Sequence, residues 1–409
     1  MPMCSFFMLK KMEIKVLHIV TAFPRSDDED SMTPWLIALI QELERQGVEN
    51  TVLAPSYKGL GNQTVFGIEV RRYRYFLRKW EDLTHDEATP VRLARKPWYL
   101  LWVPFMLSAG RRAVKKILKR EHFDIVHIHW PIPMAFVGAP AFGKMPTILH
   151  FYTAETSIMR RFPIIKPFFR KYIRDADEVI ALTSYGAKQA QSVYNRPIKI
   201  VPYGNIFSEK MPSVKFPESD RPKRILFVGR LVERKGVEYL VRAMPKILSE
   251  IDAELIVVGS GAILDELKSL AEKIGVGEKV HFTGLVPAEE KERYYKTCDV
   301  FVLPACIDRH GDTEGQGVVL LEALSYGKPL VASAVGGIVD LVKNEKTGLL
   351  VPEKDPDALA DAITRILTDK ELYIKLARDG YDFALKNFSL SAVGKSVVEI
   401  YERILNNRK

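Results

Sequence analysis

The chain has 409 residues and a net charge of +9, from 60 Lys and Arg against 51 Asp and Glu. Its 47% hydrophobic and 27% charged composition, with Gly and Pro scattered singly, excludes a disordered or low-complexity protein. The length predicts two domains of roughly 200 residues, and three cysteines (Cys4, Cys298, Cys306) in no CxxC or Cys/His pattern argue against a disulfide framework or a cysteine metal site and fit a reducing cytoplasm.

At the start, MPMCSFFML is apolar, but Lys10 and Lys11 follow it, the wrong order for a signal peptide. Residues 1–12 therefore read as a loose extension. No run reaches the roughly 18 to 20 apolar residues that span a bilayer, so the expected location is cytoplasmic. From there, short β-rich apolar runs alternate with stretches of helical period, the pattern of βα units on parallel sheets. Strands are predicted at 14–20, 51–55, 124–130, 147–151, 178–183 and 198–202. Thr33 and Pro34 read as the N-cap and first residue of a helix closed by Gly47. After a polar, Pro-bearing segment at 205–222 the pattern restarts, with strands at 224–229, 254–259, 279–284, 299–304 and 328–333. The fold class is α/β: a first doubly wound domain over 13–205, a second over 206–388, and a helix from 389 to 409 that crosses back to the first.

In open parallel sheets ligands bind beyond the carboxyl ends of strands, where strand order reverses. The first loop of interest there is GRLVERKG, 229–236. Gly229 allows a tight exit, and Arg230 and Lys235 place two cations by a helix N-terminus, a combination suited to a diphosphate. Solvated surface charges would look the same. The second is EGQGVVLLE, 314–322. Were it all helix, Glu314 and Glu322 would stand about 12 Å apart along the axis and about 80° around it, beyond the roughly 5 to 9.5 Å of paired hydrolase carboxylates. The spacing suits gripping two parts of one long ligand. A Glu at a helix N-terminus and another on its solvent face is the plainer alternative. The third is AVGGIVD, 334–340, whose Gly336–Gly337 turn exposes backbone amides to a phosphate. GSGAIL at Gly259 does not complete GxGxxG, so a nicotinamide enzyme gets little support.

Together, GRL…KG, EGxGxxxLEA and the GG turn, in this order, resemble retaining glycosyltransferases of the GT-B fold, specifically glycosyltransferase family four (glycosyl transferases group 1). The resemblance covers nearly the whole chain and is strongest over 225–352. It implies two Rossmann-like domains facing across a cleft, with the donor on the C-terminal side and the acceptor on the N-terminal side. It implies that Arg230 and Lys235 contact the donor diphosphate, Glu314 the sugar hydroxyls and Glu322 the ribose. Gly229, Gly317, Val318, Gly336 and Gly337 complete the donor-binding set, and His150 in TILHFYTAE faces the transferred sugar. Gln316 and Asp340 stand where relatives often carry a bulky apolar residue and Glu. His127 and His129 read as buried strand histidines, and 27–30 (Asp27, Asp28, Glu29, Asp30) as an acidic loop where many relatives have a glycine pair.

The implied reaction moves a sugar from a UDP-, GDP- or ADP-sugar to an acceptor hydroxyl with retention of configuration, in cell-envelope, glycolipid or polysaccharide synthesis. No Asp-x-Asp appears where the donor would sit, so no metal and no cofactor is required. A sugar-nucleotide 2-epimerase of the same fold, or a silent membrane-associated scaffold, are the alternatives. Two basic clusters stand out: Arg71, Arg72, Arg74, Arg78, Lys79; and Arg111, Arg112, Lys115, Lys116, Lys119, Arg120. The second lies on one half of a helical wheel opposite Ala113, Val114, Ile117 and Leu118. With the aromatic stretches 96–107 and 159–174, it reads either as a helix packed on the sheet with cations in water, or as an anionic membrane surface on the cell membrane's inner face, serving a lipid-linked acceptor. No binding motif accompanies the charge, so nucleic acid is not an expected partner.

Overall fold

The computed structural model describes residues 14–27, 32–86, 92–93, 95–152, 155, 158–159, 162–208, 210–217 and 220–408. The loose extension and three of the four acidic loop residues lie outside them. The chain forms two compact units. One takes in Met1–Ala181, Ala187–Val201 and Gly394–Lys409; the other takes in Leu182–Gly186 and Pro202–Val393.

The first unit is built on an eight-stranded sheet: β1 (Ile14–Ile19), β2 (Val48–Pro55), β3 (Gln63–Val65), β4 (Ile68–Tyr73), β5 (Ile125–His129), β6 (Thr147–Phe151), β7 (Glu178–Ala181) and β8 (Lys199–Ile200), in the order β3-β4-β2-β1-β5-β6-β7-β8. Among the described residues only β3 and β4 pair antiparallel in this sheet. Every residue of β5, β6 and β7 is buried, as expected for parallel strands covered on both faces. The β3–β4 hairpin escapes sequence reading because its strands are short and its turn is Phe66–Gly67, both at positive φ, in place of the usual Asn-Gly.

Helix Pro34–Arg45 starts where expected, but Thr33 does not cap it. Thr33 sits in the left-handed region at φ 49°, and its hydroxyl bonds no protein group. The backbone carbonyl of Thr33 accepts from Leu36 and Ile37 instead. A side-chain cap needs an extended N-cap residue, and the left-handed turn carries the hydroxyl away from the first-turn amides.

The second unit carries six parallel strands: β9 (Lys223–Val228), β10 (Ala253–Val258), β11 (Val280–Gly284), β12 (Val300–Leu303), β13 (Leu330–Ser333) and β14 (Leu349–Val351), in the order β11-β10-β9-β12-β13-β14. The chain steps one way from β9 to β11 and then restarts on the other side of β9 with β12. The strand order therefore reverses between β9 and β12, and the loops leaving those two strands flank the crevice that such a reversal opens. Bidentate Arg221–Asp299 bonds of 2.8 Å and an Arg224 amide bond to the same carboxylate tie β12 to β9 at the opposite end. Among the described residues no helix is long and apolar enough to cross a membrane.

Candidate functional site

The loops after β9 and β12 touch through backbone. Gly236 ends a short 3-10 turn, Glu233–Lys235, at φ 66° and begins helix Val237–Glu250. A Cβ at Gly236 would lie 1.8 Å from the Pro304 carbonyl oxygen, so only glycine admits this approach. The Cys306 amide donates to the Arg234 carbonyl at 2.9 Å. These contacts fix the two basic side chains just before Gly236 against the loop that carries Glu314.

Lys235 is buried, and its ammonium lies 2.5 Å from Glu314 Oε2, with the Arg234 guanidinium 3.5 Å from the same oxygen. Glu314 Oε1 accepts from the Gly317 amide at 3.2 Å. Burial pushes the Glu314 carboxyl up, but Lys235, Arg234 and the Gly317 amide outweigh it and hold the group below the usual carboxylate range. Arg230 is exposed and, among the described residues, has no ion pair or hydrogen bond through its side chain. The helix that follows Gly236 has no side-chain cap, so its positive dipole end, next to Lys235 in the chain, is not offset by a side chain.

The 314–322 segment is not one helix. Gly317 turns left-handed at φ 79° and the helix runs only over Val318–Ser325, which leaves Glu314 in the loop and Glu322 one turn inside the helix. Glu322 accepts from the Tyr295 hydroxyl at 2.6 Å and from the Lys291 ammonium at 3.2 Å. The glycine pair closes the arrangement. The Gly337 amide donates to the Glu314 carbonyl at 3.1 Å, and a Cβ on Gly337 would lie 1.9 Å from the Gly315 carbonyl oxygen.

The structure thus brings Lys235, Glu314, Gly317 and Gly337 together, with Gly336 and Val318 adjacent in the chain and Glu322 one turn further along. Gln316 is occupied structurally, its amide exchanging hydrogen bonds with the Tyr203 backbone at 2.7 and 3.2 Å. Asp340 likewise accepts from the Ser184 amide at 2.6 Å. Sequence reasoning missed Arg234, Lys291 and Tyr295. Arg234 adjoins Lys235, and nothing in a single sequence says which neighbour turns inward. Tyr295 and Lys291 come from helix Ala288–Thr297 with no fixed spacing to Glu322.

In the first unit His18, His127, His129 and His150 form a buried network. His18 on β1 pairs with His127 on β5, and His129 with His150 on β6. Asn50 donates to the Val48 carbonyl and accepts from His18 Nε2 at 2.9 Å. That orientation leaves His18 Nδ1 to accept from His129 Nε2 at 2.9 Å, and His129 Nδ1 to accept from the Tyr152 hydroxyl at 2.6 Å. His150 Nδ1 then donates to Tyr152 at 2.8 Å, and His127 Nδ1 meets the Tyr401 hydroxyl at 2.7 Å. Burial lowers the His18 pKa to about 4 and that of His150 to about 3, and carries His127 and His129 well below their usual value. All four rings are neutral at pH 7. Ring nitrogens of His18, His127 and His129 come within 4.8 Å of one another, in reach of a metal ion, while those of His18 and His129 are engaged in the hydrogen bonds above. His150 is 2% exposed and belongs to the interior of this network. Glu155 joins it through the Tyr152 amide at 3.0 Å, and burial raises its pKa to about 7. Of the acidic loop, Asp27 accepts from the Phe66 amide at 2.7 Å.

Comparison with known proteins extends this geometry. The family profile described as Glycosyl transferases group 1 matches residues 210–383, and that described as Glycosyltransferase Family 4 matches residues 35–204. An uncharacterized glycosyltransferase of Methanocaldococcus jannaschii is 28% identical over 86% of this chain and 94% of its own. A GDP-mannose-dependent alpha-(1-6)-phosphatidylinositol monomannoside mannosyltransferase of Mycolicibacterium smegmatis is 28% identical over 90% of this chain and 93% of its own. The structure of sucrose-phosphate synthase from Thermosynechococcus elongatus superposes with a TM-score of 0.72 at 21% identity, covering 96% of this chain and 100% of that one. With both units matched and the fold shared, the chain belongs to the group 1, family 4 glycosyltransferases of GT-B architecture.

Proposed function

We propose that this glycosyltransferase binds the diphosphate of a nucleotide-sugar at the carboxyl ends of β9 and β12 and transfers the sugar, with retention of configuration, to an acceptor hydroxyl. The observation that carries the reading is the convergence of Lys235 and Arg234 on Glu314 where the strand order reverses. Breaking the bond between the sugar's anomeric carbon and the phosphate oxygen leaves charge on the diphosphate. At about 4 Å and an effective dielectric of about 20, one cation contributes roughly 4 kcal/mol of gross attraction before desolvation. Lys235, with three donor hydrogens, can keep Glu314 and still give two to phosphate oxygens. Arg230, exposed in the same loop, supplies the second charge.

In this reading Glu314 orients the sugar hydroxyls and Glu322, held by Tyr295 and Lys291, the ribose. The acceptor oxygen bonds to the anomeric carbon on the face the phosphate leaves, and its proton passes to the departing phosphate oxygen. The charge is carried by side chains and helix N-termini, so no divalent ion is required. His150 enters as a positioning residue through Tyr152. The acceptor belongs to cell-envelope, glycolipid or polysaccharide synthesis.

A relative named for GDP-mannose makes GDP-mannose the first donor to try. The test is a thermal-shift and turnover screen against UDP-, GDP- and ADP-sugars with Lys235→Ala and Glu322→Ala alongside. A donor that raises the melting temperature of the wild type and not of the variants supports the reading. No shift with any nucleotide sugar overturns it.

A further inference from the structure

The two basic clusters of the sequence meet different fates. In the first, Arg71 pairs with Glu69 and Glu121, Arg74 with Glu81, and Arg72 is buried against the Phe23 carbonyl. Glutamates thus take up two of its five cations, and a third is buried on backbone carbonyls. In the second, on helix Val103–Arg120, the six cations are exposed, and among the described residues none of them pairs with a carboxylate. The helix already buries Met106, Ala109, Gly110 and Val114 against the unit, so packing explains its inner face and leaves the outer one unexplained.

Beside those cations the apolar side chains point outward. Eight of the fourteen exposed large hydrophobics among the described residues fall between 77 and 168. Leu101 is 66% exposed, Phe105 53% and Ile164 87%, with Trp98, Leu100 and Phe168 also about half open to solvent. They are close in space as well as in sequence. Phe105 leads the exposed face of the basic helix, its ring tilted against that of Phe76 with centres 5.3 Å apart. Arg111, further along, covers the Phe136 ring at 5.0 Å, and Phe136 lies 6.2 Å from Phe168. Helix Lys166–Asp175, which carries Phe168, adds the exposed cations Arg170 and Lys171. A water-facing surface has no use for seven-tenths-open leucines and isoleucines beside unpaired cations.

We propose that this face of the first unit, residues 98–120 with 162–171, docks on an anionic lipid bilayer. Trp98, Leu100, Leu101 and Phe105 enter the headgroup boundary, and Arg112, Lys115, Lys116 and Lys119 lie along the phosphates. The amphipathic arrangement, with aromatic and aliphatic anchors next to Lys and Arg, is what an interfacial surface requires. A second copy of the chain is a poor occupant, because a two-fold contact would bring the same unpaired cations together. The inference deepens the reading of a lipid-linked acceptor, since docking brings the enzyme to it, but its test does not depend on that reading.

The experiment is sedimentation of the full chain with phosphatidylcholine vesicles, with and without phosphatidylglycerol, at low and high salt. The variants are Leu101→Ser with Phe105→Ser, and Lys115→Glu with Lys116→Glu. The wild type is expected to bind only the anionic vesicles, to be released by salt, and to lose at least about tenfold in affinity in either double variant. All these side chains are exposed, so melting temperatures are expected to stay unchanged, which separates a docking loss from misfolding. Equal binding to neutral vesicles, or charge-dependent binding that ignores the Ser variants, overturns the proposal. So does concentration-dependent self-association abolished by them. A donor-induced thermal shift read without vesicles tests the donor site separately, so either reading can fail alone.

Discussion

The Lys235 ammonium and the Glu314 carboxylate lie 2.5 Å apart, both groups buried, joining the loops that leave β9 and β12. Lys235→Ala is expected to lower turnover about a hundredfold to a thousandfold, the scale of losing one transition-state charge donor. It also strands a buried carboxylate. Losing one partner of a buried pair costs about 3 to 5 kcal/mol, and Arg234 at 3.5 Å should keep the loss near the lower figure. Lys235→Ala with Glu314→Gln should recover stability in urea denaturation without recovering turnover. If turnover returns with stability, Lys235 is structural.

Tyr295→Phe removes the 2.6 Å bond to Glu322. A hydrogen bond to a charged group contributes about 1.5 to 3 kcal/mol, so both stability and the aim of the carboxylate suffer. Donor KM is expected to rise about tenfold with kcat at saturating donor little changed, as for a group that holds substrate and transition state alike. An unchanged KM in Glu322→Gln would remove the ribose from this residue's role.

Gly236→Ala places a methyl 1.8 Å from the Pro304 carbonyl oxygen at a positive φ. The left-handed backbone alone costs an ordinary residue about 1 to 2 kcal/mol, and the clash adds to it. Stability should fall by at least about 2 kcal/mol and donor binding should weaken, because the loop carrying Arg234 and Lys235 must move. Gly143→Ala, also at positive φ but with open space at its Cβ, should lose stability without losing donor binding.

Acid should destabilise the first unit. His18 and His150 have native pKa values of about 4 and about 3 against about 6.5 unfolded. Below pH 6.5 the unfolded chain takes up protons that the folded chain refuses. Stability therefore falls as pH drops from 6.5 toward 4, by up to about 1.4 kcal/mol per pH unit for each imidazole. Glu155, raised to about 7, opposes this in part, since its protonation favours the folded state between pH 7 and about 4.5. Urea midpoints at pH 7 and pH 5 give the net sign. A midpoint that does not fall at pH 5 would mean that the network is hydrated or charged in the native state.

Turnover with the identified donor should survive a chelator, because the proposed charge stabilisation comes from Arg230, Lys235 and helix N-termini. Loss of activity on chelation, restored by a divalent ion, would assign part of that work to a metal.

Sequence alone determined the alternating β and α pattern, the two parallel-sheet units and the glycine-bearing loops at the strand ends, because buried parallel strands need continuous apolar runs and strand-end turns need glycine. It also picked out Lys235, Glu314 and the glycine pair, which lie in motifs of fixed local spacing. It could not supply the hairpin at 63–73, whose turn residues are unusual, or the short β14, which owes its pairing to β13. Three things were decided only by tertiary structure. Arg234 turns toward Glu314, Tyr295 and Lys291 hold Glu322 from another helix, and four histidines on three strands share one proton-ordered network with Asn50, Tyr152 and Tyr401. The two basic clusters look alike in the sequence, but in one Arg71 and Arg74 meet glutamates and Arg72 is buried, whereas in the other, among the described residues, no cation meets a carboxylate. Hydrophobic period is a local property of the chain, whereas a charge's partner is set by which strands become neighbours.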